Sequence, residues 1–220
     1  EEDRTIRAAQ AYRDAGYGTP VLIGRDEEVA ERIAALGGDN AGGLEIHNAR
    51  LSSNNKKYTD FLHGRLRRRG FLYRDCQRMV NLDRNVFAAC MVACGDADAM
   101  VTGATRSFAV AFEEVRRAID PKPGERVIGM QIVITSERTV FISDMRVHER
   151  PSAEELADIA VESAAYARRV GHEPRVALLS HSNFGQPSSA TTERVGDAVA
   201  ILDRRGVDFE YDGEMTADTA

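Results

Sequence analysis

The sequence predicts a two-lobed, three-layer α/β/α protein whose mainly parallel central sheets are covered by helices. Short apolar runs alternate with amphipathic helical stretches along the chain, which is the pattern of parallel strands joined by helices. The length of 220 residues suits one large domain or two small ones. A connector rich in Pro and Gly at 121–124 then divides the chain. We therefore expect one α/β lobe over residues 1–122 and a second over residues 123–220.

The elements of the first lobe follow from apolar runs and helical spacing. Short apolar runs predict strands at 19–24, 44–46 and 99–101, the last of them buried. Apolar residues at helical spacing predict helices after Asp26, over Tyr58–Leu66, after Asp83 and after Ser107. Asp83 and Ser107 belong to the residue types that favour the N-cap position. The stretch 86–94 is apolar nearly all round, so we expect its helix to be buried.

The second lobe is predicted to be rich in strands at its start. Segments 127–135 and 139–143 indicate a hairpin or two adjacent strands. Ser152 and Glu155 form a capping box at the start of the longest amphipathic stripe in the chain. Beyond this helix the pattern predicts a strand at 175–180, a polar loop at 181–192, a helix that ends at Gly206 and a strand at 207–211.

Composition and charge exclude several classes of function. The net charge of -6 provides no overall attraction for a nucleic-acid backbone. No apolar run approaches the ~20 residues of a membrane helix, and the first ten residues carry no signal-peptide stretch. Three cysteines without a secretory segment predict reduced thiols and a cytoplasmic location. No group of histidines and cysteines has the spacing of metal ligands, so we expect no metal in this chain.

Candidate binding residues lie where predicted strands end. In open α/β sheets, ligands bind at the carboxyl ends of strands, where helix N-termini favour anions. Three such ends carry polar groups: Thr102–Ser107, Asp144–His148 and Ser180–Gly185. Their hydroxyls and Arg106 suit a phosphate or pyrophosphate. None matches a P-loop or a dinucleotide fingerprint, so ordinary polar turns explain the pattern equally well.

Other polar residues allow two interpretations each. Asp144 either orients a hydroxyl or acts as a base, or it is an N-terminal cap or turn carboxylate. The arginines within 65–69 either bind phosphate or interact favourably with the dipole at a helix C-terminus, and the second interpretation is favoured. Ser182 lies beside His181, but the Gly-x-Ser-x-Gly elbow of serine hydrolases is absent.

Long sequence blocks at these loops resemble the phosphate acetyltransferase (phosphotransacetylase) family. The blocks are Gly95–Ala104, Pro151–Ala160, Pro174–Ser182 and Tyr211–Glu214. The resemblance covers nearly everything from Pro20 onward. Within the family, the chain is most similar to the C-terminal domain of bacterial hybrid NADP-dependent malic enzymes. The blocks that carry this similarity are Arg74–Asn81, Ile119–Gly124 and Asp208–Gly213.

The resemblance implies the phosphotransacetylase fold, which is like that of isocitrate and isopropylmalate dehydrogenases. It further implies a cleft between the lobes for acetyl-CoA and phosphate, and in true acetyltransferases the exchange of acetyl between CoA and phosphate. The residues that the resemblance places in this cleft are Thr102, Gly103, Ala104, Thr105, Arg106, Asp144, Ser180, His181, Ser182 and Asn183.

Two departures from the family pattern argue against catalysis. In the acetyltransferases an arginine follows the aromatic residue at the position of Phe112, whereas this sequence has Glu113. A carboxylate at that position would repel phosphate, which must be held by fixed cations. The family's further catalytic Ser-Arg pair belongs to a segment beyond residue 220, so we expect the second lobe to be incomplete. We therefore assign no catalytic residue.

The resemblance leaves two main hypotheses and a more general one. The first is a regulatory domain that binds acetyl-CoA and is attached to a malic-enzyme domain holding NADP and a divalent metal. Regulation needs only different affinities for two conformations. The alternative is an active phosphate acetyltransferase in which Arg106, Arg116 or the Arg65–Arg69 cluster replaces the missing arginine. The more general hypothesis is an α/β nucleotide-binding module of another function. Self-association, as a dimer at least, is also expected.

Overall fold

The structure, a computed structural model, describes residues 2–36 and 44–220. The chain divides into two compact units, Glu1–Asp120 and Pro121–Ala220, which we call the N-terminal unit and the C-terminal unit. The division falls at the first residue of the connector that the sequence analysis singles out.

The N-terminal unit is mostly helical. Its helices are α1 (Glu2–Asp14), α2 (Asp26–Ala35), α3 (Asn55–Leu66), α4 (Tyr73–Leu82), α5 (Arg84–Ala93) and α6 (Phe108–Arg116), and its strands are β1 (Val21–Ile23) and β2 (Glu45–His47). The two strands pair in parallel, with Val21 opposite Glu45. A 3-10 turn at Arg67–Arg69 follows α3 and ends at Gly70, whose φ of +88° is the left-handed conformation that glycine adopts without strain.

The core of the N-terminal unit lies between α3, α4 and α5. Tyr58 and Phe87 are fully buried and meet edge to face, with ring centroids 5.2 Å apart. The predicted cap at Asp83 is confirmed, since its Oδ1 accepts hydrogen bonds from the backbone N–H groups of Asn85 and Val86. The burial predicted for α5 is confirmed as well. The apolar sequence of 86–94 thus places this helix inside the unit.

One predicted element of this unit is wrong, and two of its helices are absent from the predictions. The strand predicted at 99–101 is wrong: this segment pairs with neither β1 nor β2, and Val101 is fully exposed. Three apolar residues are too few to define a periodicity, and a strand forms only where its backbone finds a partner. Helices α1 and α4 were not predicted. In α4 only Cys76 and Val80 are buried, so the apolar signal is short.

The C-terminal unit contains more strand. Its elements are β3 (Met130–Ile134), β4 (Thr139–Ser143), α7 (Ala153–Arg169), β5 (Arg175–Leu179), α8 (Ala190–Arg205) and β6 (Glu210–Met215). Strands β3 and β4 form the predicted hairpin, whereas β5 and β6 pair in parallel. Helix α8 begins within the predicted loop 181–192, because Ser189 caps it by accepting from the backbone N–H of Thr192. Strand β6 extends beyond the predicted end at residue 211.

Small residues hold α7 against α8 in the core of this unit. Ala157, Ala164 and Ala198 are at most 2% exposed, and the absence of long side chains lets the two helices approach closely. The predicted capping box at the start of α7 is confirmed, with Ser152 and Glu155 each bonding the other's backbone N–H. Within the described residues the strands form three separate two-stranded sheets, two of them parallel.

The three cysteines are free thiols in the N-terminal unit. Cys76 and Cys90 are buried, and Cys94 is half-buried. Burial raises the pKa of the Cys90 thiol to about 12. Among residues 2–36 and 44–220, none of the helices has the length and apolar character required to cross a bilayer. Over the same residues, no three His, Cys, Asp or Glu side chains are placed to share a metal ion.

Candidate functional site

The loop Thr102–Arg106 in the N-terminal unit is exposed. The side chain of its last residue, Arg106, forms ion pairs with two carboxylates. Its Nη1 lies 2.5 Å from Oε1 of Glu114 in α6 and 3.5 Å from Oδ2 of Asp83. Glu114 is 5% exposed, which is unusual for a charged residue. The positive charge of Arg106 is therefore largely compensated inside its own unit.

Asn85 connects this loop to the start of α5. Its Nδ2 donates to Oε2 of Glu114 over 2.7 Å, and the Thr102 hydroxyl donates to its Oδ1 over 2.5 Å. We call Asp83, Asn85, Thr102, Arg106 and Glu114 the Glu114 cluster. Both oxygens of Glu114 have donors, which a buried carboxylate requires. The cluster fixes the base of the predicted binding loop.

The protonation of Glu114 is perturbed. Burial raises the pKa of its carboxyl above the ordinary value, and the nearby carboxyl of Asp83 raises it further, whereas Asn85 and Arg106 oppose this shift. Sequence reasoning missed Glu114, although a signal was present. Ala111 and Ala118 are buried and lie three before and four after it, so helical spacing places it on the same buried face.

The other cations offered as phosphate ligands have different surroundings. Arg65 contacts Asp120 over 2.7 Å and donates to the Arg117 carbonyl over 3.2 Å. Arg67–Arg69 form the exposed 3-10 turn after α3, where positive charge favours a helix C-terminus. Arg116 lies over the Phe112 ring at 5.5 Å, and Glu113 is exposed to solvent.

Asp144 in the C-terminal unit is directed toward its own turn. Its Oδ1 accepts from the backbone N–H of Gly129 over 2.7 Å, and its Oδ2 accepts from the backbone N–H of His148 over 2.8 Å. The imidazole of His148 lies 2.6 Å from the same Oδ2. The side chain is 2% exposed. Although burial opposes it, these hydrogen bonds hold the pKa of Asp144 below its ordinary value. The interpretation as a turn carboxylate accounts for these contacts.

The loop Ser180–Asn183 is built around a buried carboxylate that the sequence analysis did not identify as functional. Ser182 is 2% exposed and its hydroxyl donates to Oε1 of Glu214 over 2.7 Å. The backbone N–H of Gly185 donates to the same oxygen over 2.7 Å. Asn183 accepts hydrogen bonds from Thr216, while His181 is exposed. The side chains of Ser182 and Asn183 therefore bond to their own unit, through Glu214 and Thr216.

Glu214 remains ionised in this setting. Burial alone would raise the pKa of its carboxyl, but hydrogen bonds from Ser182 and Gly185 hold it below the ordinary value. Its exposed fraction is 4%. The only sequence signal for Glu214 is its place at the end of the block Tyr211–Glu214. A strand residue with acidic character normally faces solvent, so burial could not be predicted from the pattern.

Comparison with solved structures defines the class of fold. The chain superimposes on the crystal structure of a phosphotransacetylase from Streptococcus pyogenes with a TM-score of 0.88, at 28% sequence identity, over 99% of this chain and 66% of that one. The predicted α/β fold class, that of the phosphotransacetylases, is confirmed. The sequence profile "Phosphate acetyl/butaryl transferase" matches residues 1–220. The chain belongs to this family.

Two kinds of curated relative match the whole chain. An NADP-dependent malic enzyme of Rhizobium meliloti (strain 1021) is 56% identical over 100% of this chain and 29% of the relative. A phosphate acetyltransferase of Bacillus subtilis (strain 168) is 30% identical over 100% of this chain and 67% of the relative. The chain thus spans less than a third of the length of the malic enzyme that it resembles.

Proposed function

We propose that this chain is the phosphotransacetylase-like regulatory domain of an NADP-dependent malic enzyme, and that it binds acetyl-CoA as an effector without acetyl transfer. The observation that carries the proposal is the commitment of Arg106 to Glu114 and Asp83. The malic domain in the same chain would oxidatively decarboxylate malate and would hold NADP and a divalent metal. The proposed ligand residues remain those of the loops Thr102–Arg106 and Ser180–Asn183, with Asp144.

The chemistry of acetyl transfer explains why this observation matters. Attacking phosphate is a multiply charged anion that must be desolvated and aimed by fixed cations. In the loop Thr102–Arg106, the guanidinium already faces two carboxylates. Glu113 adds a further negative charge where the resemblance leads us to expect an arginine. An effector site needs only differential affinity, so these charges argue against turnover and not against binding.

Similarity supports the attachment to a malic domain. The malic-enzyme relative is 56% identical, whereas the phosphate acetyltransferase of B. subtilis is 30% identical. A region that occupies 29% of a malic enzyme leaves ample length for a separate malic domain. The proposal includes self-association, as a dimer or higher, and a cytoplasmic location. Light scattering coupled to size-exclusion chromatography tests the self-association, because a monomer at all concentrations would contradict it.

Calorimetric titration with acetyl-CoA tests the binding proposal. We expect saturable binding and no acetyl phosphate when phosphate is added. Thr105→Glu places a carboxylate on the exposed binding loop and should weaken acetyl-CoA at least tenfold, because its charge repels the phosphates of CoA. Thr5→Glu adds the same charge on the exposed surface of α1 and serves as the matched control. A folded, assembled sample that binds no CoA ester would overturn the proposal.

The alternative is an active phosphate acetyltransferase. The B. subtilis relative favours this alternative, since that protein is named a phosphate acetyltransferase and aligns with the whole of this chain. Formation of acetyl phosphate from acetyl-CoA and phosphate, abolished in Arg106→Met, would establish this alternative and exclude the first. A general nucleotide-binding module would instead be indicated by a melting temperature that rises with another nucleotide but not with acetyl-CoA.

A further inference from the structure

The exposed face of α4 is positively charged, although the chain as a whole is acidic. Seven arginines and two aspartates give residues 65–84 a net charge of +5, whereas the whole chain carries -6. On α4 itself, Arg74 and Arg78 are exposed and lie four residues apart, so they share one face of the helix. Leu82 follows at the same spacing and is 62% exposed. We call Arg74, Arg78 and Leu82 the α4 stripe.

The local structure of α4 does not account for these charges. Arg74 is the second residue of the helix, where the helix dipole favours an anion over a cation. Two positive charges four residues apart also repel each other along a helix. Arg74 lies 4.0 Å from Asp75, but the Arg74 side chain is 82% exposed, so solvent screens this pair. Over the described residues, Arg78 takes part in no ion pair. The positive charge of the α4 stripe is therefore available to a partner.

Helix α2 carries the complementary pattern. Glu27 and Glu31 are exposed and lie four residues apart, and Ala35 follows at the same spacing and is exposed as well. In the part of the chain that the structure describes, neither glutamate forms an ion pair. Glu31 lies beyond the first turn of α2, where the helix dipole stabilises a carboxylate little. We call Glu27, Glu31 and Ala35 the α2 stripe.

The two stripes match position by position when the helices are aligned in parallel. Residues four apart are separated by about 6 Å along any α-helix, so the spacing of charges on one helix equals that on the other. A guanidinium and a carboxylate can form two parallel hydrogen bonds, and the third pair of positions is apolar on both sides. The facing pairs are Arg74 with Glu27, Arg78 with Glu31, and Leu82 with Ala35.

We propose that the α4 stripe of one copy of this chain binds the α2 stripe of a second copy. The inference rests on the self-association included in the proposed function and assigns it two surfaces. Within one copy, α2 packs on α1 and β2, whereas α4 packs on α3 and α5, and both stripes stay exposed. The exposed turn Arg67–Arg69 before α4 adds positive charge that speeds encounter with an acidic surface.

Other anionic partners suit this face less well. The net charge of -6 repels a long polyanion such as a nucleic acid or an anionic membrane. In a 3-10 turn, successive side chains point in three different directions, so Arg67–Arg69 do not converge on one phosphate. An acidic helix surface that also offers an apolar position fits both the charges of the α4 stripe and Leu82.

Sedimentation velocity of the intact chain tests this pairing with two charge-reversed variants. Arg74→Glu/Arg78→Glu makes both stripes acidic, and Glu27→Arg/Glu31→Arg makes both stripes basic. Each variant alone should raise the dissociation constant of self-association at least tenfold, because repulsion replaces attraction. An equimolar mixture of the two variants should associate as wild type does, because every contact between them then joins an acidic stripe to a basic one.

Arg138→Glu/Arg204→Glu is the matched control. It changes the net charge by the same amount at two exposed arginines of the C-terminal unit that have no ion pair among the described residues, so the dissociation constant should stay that of the wild type. Folding is not at issue for the first variant, since the dipole at the start of α4 favours Arg74→Glu. Recovery of association in the mixture also requires that both variants are folded.

The outcomes separate this inference from the proposed function. Unchanged association in both variants, or loss without recovery in the mixture, would overturn the pairing while self-association itself stood. Loss in Arg74→Glu/Arg78→Glu alone would assign the α4 stripe a different acidic partner and would also overturn it. A wild type that is monomeric at all concentrations would refute self-association together with this inference, whereas binding of acetyl-CoA is decided separately by calorimetry.

Discussion

Removal of the Arg106 side chain should destabilise the N-terminal unit, because the buried charge of Glu114 then has no counter-charge. Loss of the partner of a fully buried charge costs about 3–5 kcal/mol. The Glu114 side chain is 7% exposed but that of Arg106 is 43% exposed. Because solvent screens part of this pair and Asn85 still donates to Glu114, we expect Arg106→Met to cost about 2 kcal/mol.

A double-mutant cycle isolates the interaction. In Arg106→Met the Glu114 carboxylate loses its counter-charge, whereas in the combination with Glu114→Gln only the less deeply buried Asp83 still lacks the guanidinium. The combined loss in unfolding free energy should therefore be smaller than the summed single losses by about 1 kcal/mol or more. Urea unfolding followed by far-ultraviolet circular dichroism measures these differences.

The control for this cycle is an exposed ion pair. Arg168→Met in α7 removes contacts with Asp208 and Glu173, whose side chains are 82% and 78% exposed. We expect little measurable effect on unfolding there. Strict additivity in the Glu114 cycle, or an Arg106→Met loss no larger than that of Arg168→Met, would refute the assignment of Glu114 as a buried charge held by Arg106.

The dependence on pH has a defined sign. Since the folded state raises the pKa of Glu114, this carboxyl stabilises the fold most below its ordinary pKa of 4.5. That contribution is lost as the pH rises through the raised value. Glu114→Gln should therefore lose less stability than wild type between pH 4.5 and neutrality. An identical pH profile for the two proteins would contradict this reasoning.

Three further substitutions test the fold. Asp144→Asn should lower the free energy of unfolding in urea by about 2 kcal/mol near neutral pH. The folded state lowers the pKa of the Asp144 carboxyl, so the advantage of the wild type is complete above the ordinary pKa of 3.8. That advantage disappears as the pH falls through the pKa of the folded state. Ser152→Ala removes the cap of α7 and should lower unfolding free energy by about 1 kcal/mol, so an unchanged melting temperature would count against the capping box. Leu62→Ala empties a fully buried site and should cost about 3 kcal/mol, against a negligible loss for the control Leu72→Ala at 52% exposure.

Elements with a strong local signal could be predicted from the sequence. The start of α7 is determined by Ser152 and Glu155 bonding each other's backbone, and the cap of α5 by Asp83, so both depend on neighbours in sequence. The predicted strand at 99–101 was wrong because strand formation depends on a partner remote in sequence, and Val101 finds none among the described residues.

The candidate site was predictable in position but not in electrostatics. Thr102, Arg106 and Ser182 all lie in loops that follow apolar runs, which a pattern of residues reveals. The burial of Glu114 and Glu214 depends on packing between segments far apart in the chain, such as the contact between Ser182 and Glu214. No local pattern contains that information, so the carboxylates that dominate both loops emerge only from the structure.

The distribution of the three thiols gives the N-terminal unit its own reporter of unfolding. A sulfhydryl reagent meets only Cys94 as a partly accessible target, because Cys76 and Cys90 lie inside the core. Their modification requires the packing between α3, α4 and α5 to open, so its rate follows the population of opened molecules. Counting modified sulfurs by mass spectrometry would therefore follow the opening of this unit separately from the cysteine-free C-terminal unit, without an introduced label.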